Sequence, residues 1–397
     1  MKNPLLIFLV AILITGVVIG GLFAISYNRQ SSDGEFEGLL RSQLSRVERG
    51  NSMTKYEILN AEELGAVCND GTPAVFYYRP GSDENVDKWV IHLKGGGGCL
   101  REDACLERWE NQNHLMSSKS YRNSKTSSGI LSPDEDLNPD FYNFNHVHVP
   151  YCSSDFWTGN GIFKTEEMDF EFRGAAIVNA LLDDLQNDNR LSGSSLSDAT
   201  QVLLTGSSAG GFGLTHNLDR AAEKLSWAEV KGVNDSGWSM LHELDISLEE
   251  TDYDAEDISV DPEDAGERYD EINPQLDQSC VEANANEPWR CMTPAFAASY
   301  IETPYFLFAD QVDGLVMRTA GLSNAKDPEI KELRDEYAVL VQESAENIEG
   351  AFLPRAGQHT AVASGKFFTM KIDGYSYREI LTNWFFGLDG PIKLITE

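Results

Sequence analysis

The sequence is short of basic residues: 31 Lys and Arg stand against 64 Asp and Glu, a formal net charge of −33 over 397 residues. A chain of that charge repels phosphate backbones, which excludes nucleic acid as a partner. It also lacks the glycine-rich loops of dinucleotide- and phosphate-binding sites. We expect no organic cofactor and no metal, because His146 and His148 alternate on one strand without a convincing third ligand.

Cysteine is scarce as well, with six residues and no Cys-x-x-Cys pair of the kind that binds metals or carries redox chemistry. An even number of cysteines is compatible with a disulfide framework, which would place the chain in an oxidising compartment. Two pairs are close in sequence and the other two residues are left to pair at long range: Cys99–Cys105, Cys280–Cys291 and Cys68–Cys152.

The amino terminus carries the one long hydrophobic run, an uncharged and mostly apolar stretch of 23 residues from Pro4 to Ser26. About 20 such residues cross a bilayer as a helix, whereas a signal peptide needs a shorter apolar core. We expect residues 1–27 to be a signal anchor with an extracytoplasmic catalytic domain behind it. Ala24-Ile25-Ser26 is a cleavage-like site, so a cleaved signal peptide and a secreted protein is the alternative.

The remaining chain divides by composition. Residues 28–58 are polar and aperiodic and predict a tether, and residues 59–397 predict one α/β catalytic domain. Within it, the segment 243–271 has fourteen acidic residues against Arg268 alone, and we interpret it as a solvated acidic insertion or a mobile lid.

Strand-like and helix-like segments alternate through the domain, which predicts an α/β-hydrolase-type, mostly parallel sheet with helices on both faces. In such sheets, sites form at the carboxyl ends of the strands. The predicted strands are Lys88–Leu93, His146–Tyr151, Gln201–Leu204, Glu229–Val233, Pro304–Phe308 and Ala351–Leu353, and the predicted helices run through 177–185, 214–222, 329–343 and 377–386.

The most informative motif follows the strand at Leu204. Gly206-Ser207-Ser208-Ala209-Gly210 is a Gly-x-Ser-x-Gly run between a strand and a helix, the arrangement of a nucleophile elbow. The register of Gly206, Ala209 and Gly210 selects Ser208 over Ser207 as the nucleophile. A serine hydroxyl needs a histidine base oriented by a carboxylate, so the motif predicts acyl transfer and the existence of both partners.

The partners are sought downstream, in the order serine, acid, histidine. His359 lies in a loop directly after the strand-like Ala351–Leu353, where the base is expected. The strand Pro304–Phe308 is followed by Asp310 and Asp313, and both are candidates for the acid. We favour Asp313, which comes later in the turn and precedes a glycine, while Asp310 could cap or stabilise the loop.

Four glycines, Gly95 to Gly98, directly follow an early strand, as the loop of an oxyanion hole does. Gly96 and Gly97, together with Ala209 after the nucleophile, are the candidate N–H donors.

These motifs resemble the pectin acetylesterase/Notum family of serine carboxylesterases, in its Notum-like branch, over roughly residues 65 to 365. The family's oxyanion loop, Pro-Tyr-Cys-Ser-Ser-Asp run, elbow and Asp-Ser-Gly-Trp turn are matched here at 93–99, 149–159, 206–211 and 234–238. The resemblance carries the roles of acid and base onto Asp313 and His359. Lys94 departs from it, standing where the family has an acid, and so does Gly97, where many members have Trp.

The resemblance implies a membrane-tethered or secreted serine carboxylesterase. Its expected substrate is an acyl ester, most simply an O-acetyl group on a polysaccharide. The alternatives are a Notum-like deacylase of a longer-chain lipid or acylated protein, an inactive carbohydrate-binding relative, and a peptidase of the same fold.

Overall fold

The computed structural model describes residues 52–187, 190–191, 193–244 and 272–397. The strands are β1 Ser52–Glu57, β2 Val75–Arg79, β3 Lys88–Leu93, β4 Ser124–Thr126, β5 Asn145–Val149, β6 Gly161–Lys164, β7 Asp169–Phe172, β8 Gln201–Ser207, β9 Glu229–Asp235, β10 Tyr305–Phe308, β11 Gly350–Leu353, β12 Lys371–Ile372, β13 Tyr375–Ser376 and β14 Lys393–Ile395. The α-helices are α1 Ala61–Leu64, α2 Glu102–Gln112, α3 Gly174–Asn187, α4 Ala209–Lys224, α5 Gln278–Ala283, α6 Pro294–Ala297, α7 Gly314–Thr319, α8 Pro328–Ser344, α9 Lys366–Thr369 and α10 Tyr377–Phe386.

In the described part of the chain, ten strands form one mixed sheet in the order β14-β11-β10-β9-β8-β3-β5-β2-β1-β4. The pairings from β14 to β5 are parallel, and those of β5, β2, β1 and β4 are antiparallel. The predicted mostly parallel α/β sheet is thereby confirmed. The parallel strands β3, β5, β8, β9, β10 and β11 were predicted from the sequence. The structure adds the parallel edge strand β14 and the antiparallel strands β2, β1 and β4.

Helices cover both faces of this sheet, as predicted. One apolar core joins side chains such as Ile91 and Leu204 of the sheet to α3, α4 and α8. A second core on the opposite face joins Val90 and Phe306 to α9 and α10, where Tyr377 is fully buried. Alternate residues of β3 therefore point into different cores, which is the period-2 pattern of a strand buried on both faces.

The domain boundary falls earlier than residue 59. Strand β1 lies inside the segment predicted as a tether and pairs with β2 and β4, so residues 52–57 belong to the sheet. The strand was missed because its sequence is polar and only Met53 is buried in it, which leaves no clear apolar face.

The predicted signal anchor or signal peptide, residues 1–27, lies outside the described residues. So do 28–51 of the predicted tether and 245–271 of the acidic insertion. Among the residues that the structure does describe, no helix has the length and apolarity needed to span a bilayer.

Three disulfides join the cysteines in the pairs expected from their spacing, Cys68–Cys152, Cys99–Cys105 and Cys280–Cys291. The first closes 84 residues of chain and ties the turn after α1 to the loop after β5. The second holds the end of the glycine loop to the first turn of α2.

Candidate active site

Ser208 stands at the sharp turn between β8 and α4. Its φ of 55° and ψ of −123° lie in a region that residues with a side chain rarely adopt. The backbone N–H of Ser208 donates to the carbonyl of Asp235, at 2.8 Å, and the helix begins at the next residue. A strained serine raised between a buried strand and a helix is the geometry of a nucleophile elbow.

The glycines around Ser208 are required by close backbone approach. A Cβ on Gly206 would lie 1.8 Å from the carbonyl oxygen of Gly210, and a Cβ on Gly210 would lie 2.1 Å from that of Leu93. Neither contact can be relieved by a side-chain movement, because both involve backbone atoms. The spacing of the motif is therefore a packing requirement of the turn.

The second feature of the candidate site is a carboxylate–imidazole pair. His359 Nδ1 lies 2.8 Å from Asp313 Oδ2, and the carboxylate is almost fully buried whereas the imidazole is partly exposed. Asp313 also caps α7, since its Oδ1 accepts from the N–H groups of Leu315 and Val316 at 2.8 and 3.4 Å. The carboxylate is thus fixed by the helix, and it in turn fixes the imidazole.

Asp310, the other candidate acid, has a different set of partners. Its carboxylate accepts from the backbone N–H groups of Val312, Ala356 and Gln358, at 2.9 to 3.2 Å. Burial raises the pKa of Asp310, and the hydrogen bonds to the backbone oppose that rise. Asp310 therefore holds the loop that carries His359 and does not contact the imidazole.

A third carboxylate, which the sequence analysis did not single out, connects the elbow to the histidine loop. Asp235 is fully buried at the end of β9, and it accepts from Ser207 Oγ at 2.6 Å and from the N–H groups of Ala361 and Val362. Burial is the main cause that raises the pKa of Asp235 to about 6. The Asp-Ser-Gly-Trp run was the available signal, because a polar turn after a buried strand lies at the edge where sites form.

The glycine loop Gly95–Gly98 lies directly against the elbow. A Cβ on Gly95 would be 2.7 Å from Ser208 Cβ, and Gly97 has a φ of +67° that favours glycine. The guanidinium of Arg108 donates to the carbonyl of Gly96 at 2.8 Å and to Ser154 Oγ at 2.9 Å. These bonds hold the loop in one conformation beside the serine.

The other conspicuous polar residues of the Pro-Tyr-Cys-Ser-Ser-Asp run are structural. Asp155 is fully buried and accepts from Ser153 Oγ, Trp157 N–H and Gly174 N–H, so it anchors the start of α3. Burial raises its pKa to about 6. Trp157 Nε1 donates to the carbonyl of Lys94 at 3.0 Å, which links this run to the residue before the glycine loop.

Two aromatic rings lie between the glycine loop and α4. Phe212 is one turn after Ser208, and its ring centroid is 5.1 Å from that of Phe156. The Phe156 ring packs on Gly98, where a Cβ would lie 2.6 Å from it. The pair also lines a small, largely apolar cavity, with Leu100, Asp155, Thr158, His216, Ile272, Leu276 and Met292 as the other lining residues.

Known proteins are similar to this chain over the whole domain. The Pectinacetylesterase family model matches residues 47–395. The palmitoleoyl-protein carboxylesterase Notum of Drosophila melanogaster is 30% identical over 338 residues, which is 82% of this chain and 47% of that protein. Human Notum is 29% identical over 329 residues, 80% of this chain and 63% of that protein.

The chain thus spans about half to two thirds of the length of these relatives. A crystal structure described as the Wnt deacylase Notum from Drosophila superposes with a TM-score of 0.77 at 28% identity, covering 87% of this chain and 96% of that one. The family model, the relatives and the fold coincide over the domain that carries Ser208, Asp313 and His359. The chain belongs to the pectinacetylesterase family.

Proposed function

We propose that the protein is a serine carboxylesterase in which Ser208 is the nucleophile, His359 the general base and Asp313 the residue that orients the imidazole. The hydrogen bond between Asp313 and His359, at the strand edge that carries a strained serine, is the observation that carries the proposal. Asp313 accepts from Nδ1, which leaves Nε2 to take the serine proton.

In this mechanism Ser208 Oγ attacks the acyl carbon while His359 takes its proton. The negative charge on the carbonyl oxygen is stabilised by N–H groups of Gly96, Gly97 and Ala209. The imidazolium then gives its proton to the leaving alcohol, and an acyl-serine remains. Water, deprotonated by His359, attacks this ester and regenerates the enzyme. Asp235 accepts hydrogen bonds from both the elbow and the histidine loop, and these bonds hold the base and the nucleophile in fixed positions relative to each other.

We propose a short acyl group, an O-acetyl ester on a polysaccharide. The Phe156–Phe212 pair supports it, because the cavity that these two half-buried rings line is small and Phe212 lies one helical turn after Ser208. The second candidate is removal of a longer acyl chain from a protein or lipid, which the names of the Notum relatives favour. The three disulfides support export, either as a secreted protein or behind an amino-terminal anchor.

A series of p-nitrophenyl esters from acetate to dodecanoate tests the acyl assignment. We expect kcat/KM to be highest for acetate and to fall with chain length. Phe212→Ala should raise the relative rate of the longer esters. Phe386→Ala is the matched control, because Phe386 is also half-buried and packs against the core on the opposite face of the sheet. A maximum at long chains in the unmodified protein would favour the deacylase instead.

The same assay separates the remaining alternatives. An inactive carbohydrate-binding relative would hydrolyse none of the esters, and a peptidase would cleave a peptide faster than p-nitrophenyl acetate. Ser208→Ala and His359→Ala should each remove the esterase activity, while the far-ultraviolet circular dichroism stays unchanged.

A further inference from the structure

The side chain of Arg108, on α2, is turned into the protein and not toward solvent. The residue is 7% exposed, although an arginine is seldom buried unless its guanidinium is paired. Its Nη2 donates to the carbonyl of Gly96 at 2.8 Å, and its Nε donates to Ser154 Oγ at 2.9 Å. Burying a charged group is costly, and here the charge is directed at the glycine loop and at the loop after β5.

The carbonyl of Gly96 and the N–H of Gly97 belong to one peptide group. A peptide is planar and trans, so its C=O and its N–H point in opposite directions. The guanidinium that holds the Gly96 carbonyl therefore fixes the Gly97 N–H on the other side of the loop. Because both flanking residues are glycines, no side chain restricts the rotation of this peptide. The hydrogen bond from Arg108 selects one of its orientations.

The N–H that is fixed in this way is not used by the fold. Within the described part of the chain, the N–H groups of Gly97 and Ala209 donate to no other residue. Ala209 is the first residue of α4, where an N–H has no partner inside the helix. The two segments are in contact, since a Cβ on Gly95 would lie 2.7 Å from that of Ser208. Two unused donors beside a nucleophile are what an oxyanion hole requires.

The position of Arg108 is itself fixed by the surrounding chain. The disulfide Cys99–Cys105 joins the end of the glycine loop to the first turn of α2, and Arg108 lies one turn further along this helix. Ser154 accepts from the guanidinium, and its carbonyl accepts from the N–H of Cys99 at 3.0 Å. The glycine loop, α2 and Ser154 thus form a closed set of contacts that restricts the guanidinium to one position.

We propose that Arg108 is a positioning residue for the oxyanion hole. It orients the Gly96–Gly97 peptide so that the N–H of Gly97 donates to the carbonyl oxygen of the ester as this oxygen becomes negative. The inference rests on the proposed esterase function and adds a residue to it. A hydrogen bond from a cation to the carbonyl also polarises the peptide, which strengthens the N–H at its other side as a donor. Arg108 acts through this peptide and not by contact with the ester.

Hydrolysis of an ester and of its thiono analogue tests the proposal. The substrates are p-nitrophenyl acetate and p-nitrophenyl thionoacetate, in which sulfur, a weak hydrogen-bond acceptor, replaces the carbonyl oxygen. The ratio of the two kcat/KM values reports on the oxyanion donors. It does not depend on the fraction of folded enzyme, because both substrates are hydrolysed by the same preparation.

The first variant is Arg108→Met, which removes both hydrogen bonds and keeps an unbranched side chain. We expect kcat for the acetate to fall about 10²-fold, as for the loss of an oxyanion donor, while KM stays within about twofold. The ratio of kcat/KM for acetate to that for thionoacetate should fall about tenfold, because the thionoester gains less from the donors.

A second variant and a control locate the effect. Ser154→Ala removes the hydroxyl that holds the guanidinium and should lower the ratio about threefold. Added to Arg108→Met, it should cause no further fall, because both changes act through one contact. Arg101→Met is the matched control, since Arg101 directly precedes α2 and pairs with Asp103 at 3.1 Å, and it should leave the ratio unchanged.

An unchanged ratio in Arg108→Met, with equal losses on both esters, would overturn the proposal and leave the esterase function standing. An equal fall in Arg101→Met would also overturn it, because the effect would then belong to α2 in general. If Arg108→Met does not fold, an unchanged ratio in Ser154→Ala overturns the proposal. If the unmodified protein hydrolyses neither ester, the esterase proposal fails and the role of Arg108 fails with it.

Discussion

At the scale of single residues, three buried carboxylates at one edge of the sheet have different hydrogen-bonding partners and different roles. Asp313 contacts His359, Asp310 holds the backbone of the histidine loop, and Asp235 ties that loop to Ser207. Chain order was enough to nominate Asp313 and Asp310 from the sequence. It could not assign a structural tie to Asp235, because hydrogen bonds to backbone N–H groups more than 100 residues away leave no local pattern.

Substitution by asparagine should distinguish the catalytic role of Asp313 from the structural role of Asp310. Asp313→Asn preserves the shape of the side chain but no longer stabilises the imidazolium, and removing the charge of a triad carboxylate in this way lowers kcat about 10⁴-fold. Asp310→Asn still accepts hydrogen bonds from the loop, so we expect less than about a tenfold loss with a lower Tm. Steady-state kinetics and thermal melts of both variants check this, and similar losses of kcat would contradict it.

The raised pKa of Asp235 predicts a pH-dependent stability. Its folded pKa of about 6 is above the ordinary 3.8, so between these values the folded state holds more protons than the unfolded state. The contribution of this carboxyl to stability is complete below about pH 4 and is lost as the pH rises through about 6. Asp235→Asn removes that loss.

The measurement is the free energy of unfolding of the two proteins from pH 4 to 7. The stability of Asp235→Asn relative to the unmodified protein should rise across this window. A constant difference, or one that shrinks with pH, would show that Asp235 is not preferentially protonated in the folded state.

At the scale of elements, the sequence predicted best where a strand is parallel and buried. The strands β3, β8 and β9 have apolar runs that end in glycine or polar turns, and these turns are the site. The antiparallel edge was not predicted. There β1 and β4 are short and polar, and their pairing is decided by tertiary contacts and not by local preference.

The close backbone packing of the elbow predicts that replacing its glycine Gly210 lowers the stability of the fold. Gly210→Ala places a methyl group against the Leu93 carbonyl, and overpacking of this kind costs about 1–3 kcal/mol. Gly365→Ala is the matched control, because a Cβ there meets nothing within 4 Å. Urea unfolding should show a clear loss for the first variant and none for the second, and equal midpoints would refute the packing account.

At the scale of the whole molecule, the disulfides act on the unfolded chain. Chain entropy makes the stabilisation grow with the enclosed loop, about 5 kcal/mol for the 84-residue separation of Cys68–Cys152 against about 2 kcal/mol for the 6-residue separation of Cys99–Cys105. Replacing each pair with alanine should lower the free energy of unfolding in that order. The reverse order would mean that native-state contacts dominate.

The distribution of charge belongs to the same scale. A net charge of −33 repels polyanions at long range. This repulsion is screened beyond about 8–10 Å at physiological salt.

Labelling with a fluorophosphonate probe, followed by peptide mapping, measures whether Ser208 is an activated nucleophile. We expect a single phosphonylated serine, Ser208. Labelling should be lost in Ser208→Ala, strongly slowed in His359→Ala and retained in Ser207→Ala. Full labelling of Ser208→Ala, or modification of Ser207 in the unmodified protein, would contradict it.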